Sequence, residues 1–381
     1  MVVAKIEKEI DLDWDDIVDL LGLDCSADHL RKISYGIREG YVNRINGQIK
    51  NVEDDLLLQE LESKKWELQK ERKRFFDQRR ELNKINTNEA RFDHMLEQLK
   101  LAADKLNLER PLNFNKEITN YSNNEALLVF SDWHYGLVTD NIWNKYNTEI
   151  CKERVEKLVS KTKEHIKLHK PSVLHVALLG DSSHGSIHCT CRVASEEDTC
   201  DQIMNVAEIM AQAIGELSKY VDKVYVYSTY GNHLRTMQNK KESIHSDNME
   251  KIIPWWMKQR FNDGGNIEIV SSDYYEFMKI KIFDYNICCS HGDLDKIRNF
   301  GVTANTIFSK LYGETIDYAI LADKHHIEEF EQFGIESILV RSLCGVDEYA
   351  NTHRLYSNAG QTLMFFTEED GRLATYNIKL S

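Results

Sequence analysis

Residues 127–134 read Leu127-Leu-Val-Phe-Ser-Asp132-Trp-His134. Four apolar residues fit a short buried strand, and a carboxylate and an imidazole two positions apart follow at once. The same grammar recurs four more times. Val176-Ala-Leu-Leu-Gly180-Asp181 ends in a carboxylate, and Val226-Tyr-Ser-Thr-Tyr-Gly231-Asn232-His233 ends in an amide and an imidazole. Ile287-Cys-Cys-Ser-His291-Gly292 ends in an imidazole, and Tyr318-Ala-Ile-Leu-Ala322-Asp323-Lys324-His325-His326 in a carboxylate and two imidazoles. One such cluster is weak evidence, because an isolated histidine is more often a satisfied structural residue. Five in succession are not.

Around these clusters, short apolar runs alternate with helical spacings. Strands are expected at 126–130, 173–179, 223–228, 267–270, 277–282, 285–289, 318–321 and 337–341, and helices at 148–169 and 201–220, with further β-rich elements after them. The alternation predicts a layered α/β sheet domain over residues 121–381. Each cluster then falls at the carboxyl end of a strand, where open α/β sheets collect their ligands. Oxygen and imidazole donors without thiolate suit manganese, iron or zinc in a mixed site. Two ions roughly 3.5–4 Å apart need one shared carboxylate and about three private ligands each, and the inventory supplies them.

In order, Asp132-x-His134, Gly180-Asp181, Gly231-Asn232-His233, His291-Gly292 and Asp323-x-His325 resemble the five motifs of the calcineurin-like metallophosphoesterase superfamily. The resemblance spans roughly residues 125–330 and is nearest to the phage and prophage-type enzymes related to the break-repair exonuclease subunit. Gly231-Asn-His-Leu-Arg235 and Ser342-Leu-Cys-Gly-Val-Asp-Glu-Tyr349 are also similar to that branch, less specifically. It implies a β-sandwich flanked by helices and two divalent cations, Mn2+ foremost, with Fe2+, Zn2+ or Mg2+ compatible. It further implies that Asp132, His134 and His325 hold one ion and Asn232, His291 and Asp323 the other, Asp181 bridging, with a hydroxide shared between the cations as nucleophile. His233 is then the candidate for positioning phosphate or protonating the leaving oxygen, and Arg235 for bracing the phosphate, a surface salt bridge being the alternative. One departure stands out: the family ends in Gly-His-x-His, whereas Ala322, Asp323 and His325 stand here. A carboxylate can replace an imidazole; the other register, Lys324 with His326, would leave a crippled second site.

Other residues stay open. His184, His188 and Arg192, in the loop after Asp181, could contact substrate or simply pack the loop. Trp133 and Tyr135 could stack on a base or fill core, and Trp255 and Trp256 read as buried. Eight cysteines without CxxC pairs argue against a disulfide framework or zinc ribbon. Reduced thiols are the better reading, Cys189-Thr190-Cys191 as a soft-metal site the lesser.

The first 110 residues contain no proline, which favours long helices. Trp14–Leu21, stopped by Gly22, and a second helix through Arg31, Lys32, Ser34, Tyr35 and Arg38 resemble a helix-turn-helix over residues 1–45; an ordinary helical hairpin fits as well. Residues 46–120 read as a helical or coiled-coil linker with apolar residues at Leu57, Leu61, Leu68, Phe75, Leu82, Met95 and Leu99, interrupted at 83–88. A long helix or coiled-coil hairpin there could pair two chains into a homodimer. Net charge is −14, but residues 64–84 hold nine positive against four negative charges and residues 121–381 hold 27 against 37. The Lys70-Glu-Arg-Lys-Arg74 run is either a solvated helix face or a grip on a phosphate backbone. No secretory signal or membrane-spanning run is evident, so a soluble, cytoplasmic protein is expected. The leading reading is a manganese-dependent nuclease with DNA as partner. A small- or cyclic-nucleotide phosphodiesterase, and a DNA-binding assembly protein with a weakened site, are the alternatives.

Overall fold

The computed structural model describes residues 1–48, 52–262, 265–271, 274 and 276–381, with side chains described outside 41, 43–48, 52–61, 80–93, 95 and 190. They divide into two compact units, Met1–Met95 and Leu96–Ser381. Among the described residues no helix is long and apolar enough to cross a membrane.

The first unit is helical: α1 (Val2–Ile6), α2 (Trp14–Leu21), α3 (Ala27–Gln48) and the larger part of α4 (Val52–Glu109). A reciprocal Asp13–Asp16 capping box starts α2, and Gly22 at φ +59° ends it, a left-handed cap that glycine adopts without a Cβ penalty. The tight turn into α3 matches the expectation, but α3 continues past Arg38 to Gln48, so residue 45 lies inside a helix. Arg31 and Lys32 both pair with Asp28 at 2.7 Å, Arg38 lies 3.6 Å from Glu7, Ser34 is buried and Tyr35 packs on Trp14. Helix α4 runs unbroken through residues 83–88, where an interruption was expected. Its sequence contains neither glycine nor proline and is rich in strong helix formers, which favours one long helix over a hairpin. Of its expected apolar positions, Leu57, Leu61, Leu82 and Met95 lie outside the described side chains, while Leu68 and Phe75 are exposed.

In the second unit, β1 (Glu125–Phe130) is followed by a small ribbon of β2 (Thr139–Asp140) and β3 (Lys145–Tyr146), then α5 (Thr148–His169), β4 (Val173–Leu178), the short α6 (Cys189–Val193), α7 (Thr199–Ser218) and β5 (Lys223–Ser228). Next come α8 (Ile252–Arg260), β6 (Ile267–Ile269), β7 (Met278–Ile282), β8 (Tyr285–Ser290), α9 (Phe300–Tyr312) and β9 (Tyr318–Leu321). The chain closes with β10 (Glu328–Gln332), β11 (Ile335–Leu339), α10 (Glu348–Thr352), β12 (Gly360–Thr367) and β13 (Gly371–Lys379). One sheet has the order β13-β12-β1-β4-β5-β6 and the other β10-β11-β9-β8-β7. β1, β4, β5 and β6 run parallel, as do β8, β9 and β11.

Burial explains the continuous apolar runs. Ala126, Leu128 and Phe130 of β1 join a core shared with α5, α7 and α8, while Leu127 and Val129 join one shared with Ile280, Ile287 and Ile320 of the second sheet. A strand covered on both faces has no polar side to show. Phe300, Ala304 and Phe308 of α9 cover the outer face of the second sheet. The layers are therefore helix, sheet, sheet, helix. β12, the antiparallel neighbour of β1, completes the first sheet and was foreseen only as one of several β-rich elements.

Candidate metal centre at the strand ends

The five sequence clusters meet. Asp132 and His134 leave β1, Asp181 leaves β4, Asn232 and His233 leave β5, His291 leaves β8, and Asp323 and His325 leave β9. Their backbones are unusual. Of the ten non-glycine residues at positive φ among the described residues, five are Asp132, His134, Asp181, Asp323 and His325, at +44° to +61°. A left-handed conformation costs an L-residue free energy and persists only when its surroundings enforce it, which is why it clusters at functional sites. The enforcement is visible. Asp132 N donates to Gly180 O (3.2 Å), His134 N to Asp181 O (2.9 Å), His233 N to Asp181 Oδ1 (2.9 Å) and Asp323 N to Asp132 Oδ2 (3.2 Å). Gly180 (φ +87°) and Gly231 press backbone to backbone, so a Cβ on Gly180 would overlap Gly231 and one on Gly231 the Asp181 carboxylate.

Asp181, almost fully buried, is the hub. Its Oδ2 lies 3.3 Å from His291 Nε2, 3.8 Å from His134 Nε2 and 3.9 Å from His233 Nε2. His325 Nε2 is 3.4 Å from Asp132 Oδ1, and Asp323 Oδ1 is 3.6 Å from His291 Nε2 and 3.3 Å from Asn232 Nδ2. Two donors each about 2.1 Å from a common cation sit roughly 3.0–3.5 Å apart, so the carboxylate–imidazole separations need little adjustment to close on ions, while Asn232 would have to turn its amide oxygen, in place of the nitrogen that now donates to Asp323, toward one. Hydrogen bonding supports the fit. Asp132 Oδ1, both ring nitrogens of His134 and His291 Nε2 are buried without a hydrogen-bond partner, a costly state for polar groups unless something else satisfies them. His291 Nδ1 lies 2.7 Å from Leu179 O, and because a carbonyl only accepts, that nitrogen carries a proton and Nε2 is the end that would offer a lone pair to a cation once its own proton leaves. Asp132, His134 and Asp181 form one set with ligand atoms mutually within 4.8 Å, as do His134, His184 and His233.

The electrostatics agree. Burial would raise the Asp181 carboxyl, but His233, His291 and His134 outweigh it and hold it well below the usual range. Burial, with His233 beside it, keeps His134 well below the ordinary imidazole value and hence neutral, the form that ligates. His291 and His325 are carried well above it against burial, by Asp181 and Asp132 respectively. Imidazolium protons thus balance the buried carboxylates, a task that divalent cations would take over.

His233 Nδ1 donates to His184 O (2.8 Å), leaving Nε2 toward Asp181. Burial lowers His233, yet Asp181 and the Cys191 thiol carry it up to about 9. His184 joins the cluster, buried, with its ring 5.9 Å from His134 and both nitrogens unpartnered. His188 is exposed, its ring 6.0 Å from His233. Arg192, also exposed, donates to Ser186 O in its own loop. Arg235 is buried and donates to the carbonyls of Asn232, Met237 and Gln238, so its guanidinium braces the loop that carries Asn232, and neither a salt bridge nor a phosphate contact is its visible task. In the last cluster, Asp323 and His325 face Asp132 and His291. Lys324 pairs with Asp323, and His326 turns to Lys324 O and Glu328. Trp133, fully buried, packs tilted against Phe130 with ring centroids 4.9 Å apart and donates to Gln361, and Tyr135 is buried too: both fill core. Trp256 is buried and Trp255 packs against the same core.

Sequence reasoning missed Glu250. It is buried, and accepts from Ser182 N (2.8 Å) through one oxygen and from Gly231 N (2.7 Å) through the other, tying the Asp181 loop to the Asn232 loop. Burial, with Asp181 nearby, raises its carboxyl. Nothing in the local sequence marks it, since it lies eighteen residues beyond Asn232 in no motif.

No protein-family model matches the chain. The chain is similar to the SPbeta prophage-derived uncharacterized protein YonJ of Bacillus subtilis (strain 168), with 25% identity over 97% of this chain and 93% of that protein. Among solved structures it is similar to an archaeal phosphodiesterase, at 11% identity over 66% of this chain and 99% of the other, TM-score 0.34. It is also similar to the zinc complex of Vps29 from Entamoeba histolytica, at 12% identity over 67% and 99%, TM-score 0.28. These likenesses stand beside the geometry, which carries the functional reading.

Proposed function

We propose that this chain is a two-cation phosphodiesterase of the metallophosphoesterase type that hydrolyses DNA. The observation that carries the chemistry is the Asp181 cluster, in which carboxylates at positive φ and imidazoles with unpartnered nitrogens from four strand ends face one another, beside Asn232 and His233 from a fifth. Asp132, His134, Asp181 and His325 would hold one ion, and Asp181, Asn232, His291 and Asp323 the other. Bound there, the pair supplies Lewis acidity toward phosphoryl oxygens and makes a hydroxide nucleophile available near neutral pH. His233, anchored through Nδ1, presents Nε2 beside the cluster, where it can hold a proton for the leaving oxygen. His184 lines the same wall.

The DNA assignment rests on charge and form. Lys70, Arg72, Lys73 and Arg74 are exposed on α4, within a stretch of nine positive and four negative charges, and a cationic helix face suits a phosphate backbone. The α2–α3 pair would orient the duplex. Exposed Trp66, Leu68, Phe75 and Phe76 on α4 favour pairing of two chains along this helix. The prophage derivation of YonJ suits a DNA substrate in a host cytoplasm. One observation favours a small nucleotide instead: residues 121–381, which hold the site, carry 27 positive against 37 negative charges. Full-length protein with Mn2+ is therefore offered labelled single- and double-stranded DNA beside cyclic dinucleotides and bis(p-nitrophenyl) phosphate. Cleavage of DNA is the expected result; turnover of the small esters with intact DNA overturns the polymer assignment.

A further inference from the structure

The turn after β11 reaches the same centre from a sixth direction. Leu343 N donates to Asp132 O (3.2 Å), and Cys344 N lies 3.3 Å from the same oxygen. Ser342 Oγ accepts from Gly345 N (3.1 Å), and Gly345 takes φ +78°, which folds the chain tightly around Cys344. The buried Arg154 guanidinium donates to Leu343 O (2.9 Å) and Cys344 O (2.7 Å), and Asn144 Nδ2 donates to Cys344 O (2.9 Å). Four hydrogen bonds from three side chains, with two backbone bonds, thus fix one small residue whose side chain is fully buried. Its sulfur makes a long 3.5 Å contact to Gly345 O and lies against the His325 ring.

Cys344 Sγ, a ring nitrogen of His134 and a ring nitrogen of His325 lie mutually within 4.8 Å. His134 is 4% exposed and neither of its nitrogens has a hydrogen-bond partner. We propose that Cys344 is a thiolate ligand of the cation held by Asp132, His134, Asp181 and His325, so that the two positions of the centre differ in kind. Resting on the two-cation reading above, this deepens it. The position at Cys344 has two imidazoles and a sulfur and selects zinc or iron. The position at Asn232 and Asp323 has three oxygen donors and one imidazole and selects manganese or magnesium. Binding breaks the S–H bond, forms the sulfur–cation bond and releases one proton to solvent. The Arg154 cation behind the turn favours the resulting negative charge. Replacement of the family's histidine by Asp323 strengthens the same asymmetry from the opposite side.

Co2+ titrated into the full-length protein tests this by spectrum, independently of turnover. The expected result is two cobalt ions per chain and a near-ultraviolet thiolate-to-cobalt charge-transfer band that saturates with one of them. Cys344→Ser should abolish the band and weaken zinc binding at least about tenfold while leaving manganese uptake unchanged. Cys191→Ser, which removes the buried thiol 3.9 Å from His233 at the edge of the same cluster, should keep the band. Two bound cobalt ions without the band, or a band that follows Cys191, overturn the proposal and leave the two-cation reading standing. Failure of the wild-type chain to bind cobalt contradicts that reading itself. The wild-type spectrum decides even where a variant does not fold.

Discussion

The strand-end cluster and the basic stretch of α4 both concentrate charge, yet they differ in what that charge costs. At Asp132, Asp181 and His291 the polar atoms are buried, and the backbone is held at positive φ at both aspartates. Along residues 64–79 of α4 every side chain is exposed, and lysines and arginines face water at almost no cost. A costly arrangement is retained only for a purpose, whereas a cheap one says little by itself. The chemistry of this protein is therefore read with more force from the first region than its choice of polymer is from the second.

The comparison can be broken by substitution. Asp181→Asn removes the carboxylate placed to serve both ion positions, so phosphodiester turnover should fall by about 10³-fold or more; a variant within tenfold of wild type would mean that Asp181 is structural. His233→Ala should lower the turnover rate by roughly 10²–10⁴-fold with metal content intact, as measured by elemental analysis beside the assay, whereas lost metal would move His233 into the ligand set. Glu250→Gln keeps one acceptor for two backbone donors and should weaken cation binding by about 10–100-fold; unchanged affinity would show that the two loops hold their places without it. The smallest effect belongs to α4. Lys70→Ala with Arg72→Ala and Lys73→Ala should reduce the salt dependence of DNA binding by a slope of about one per charge and leave cleavage of bis(p-nitrophenyl) phosphate unchanged. DNA affinity that ignores the triple change detaches the basic stretch from the substrate.

Much of the second unit was legible because its strands are buried on both faces. Such strands read as uninterrupted apolar runs, and the polar residues that follow mark their ends. The eight expected strands and two expected helices all occur, within about two residues at most ends. The site clusters were legible for the same reason, each lying within five residues of a strand terminus. What stayed hidden depends on distance in the chain. Glu250 bonds Ser182, 68 residues away, and Cys344 approaches His134 only through a fold that pairs β11 with β9, so neither has a local signature. Arg235 misled for a related reason, since a cation beside a ligand motif invites a phosphate, while its actual partners are carbonyls of its own loop. In α4, Asn83 and Asn88 suggested a break, but the helix formers around them decided the backbone.

The central claim is that one carboxylate holds two neighbouring cations in common. Elemental analysis of the full-length chain and of Asp181→Asn, both equilibrated with Mn2+ and Zn2+ and freed of unbound metal, tests it most directly. Two ions per wild-type chain and one or none in the variant is the predicted result. A variant that still holds both, or a wild-type chain that holds neither, would contradict it.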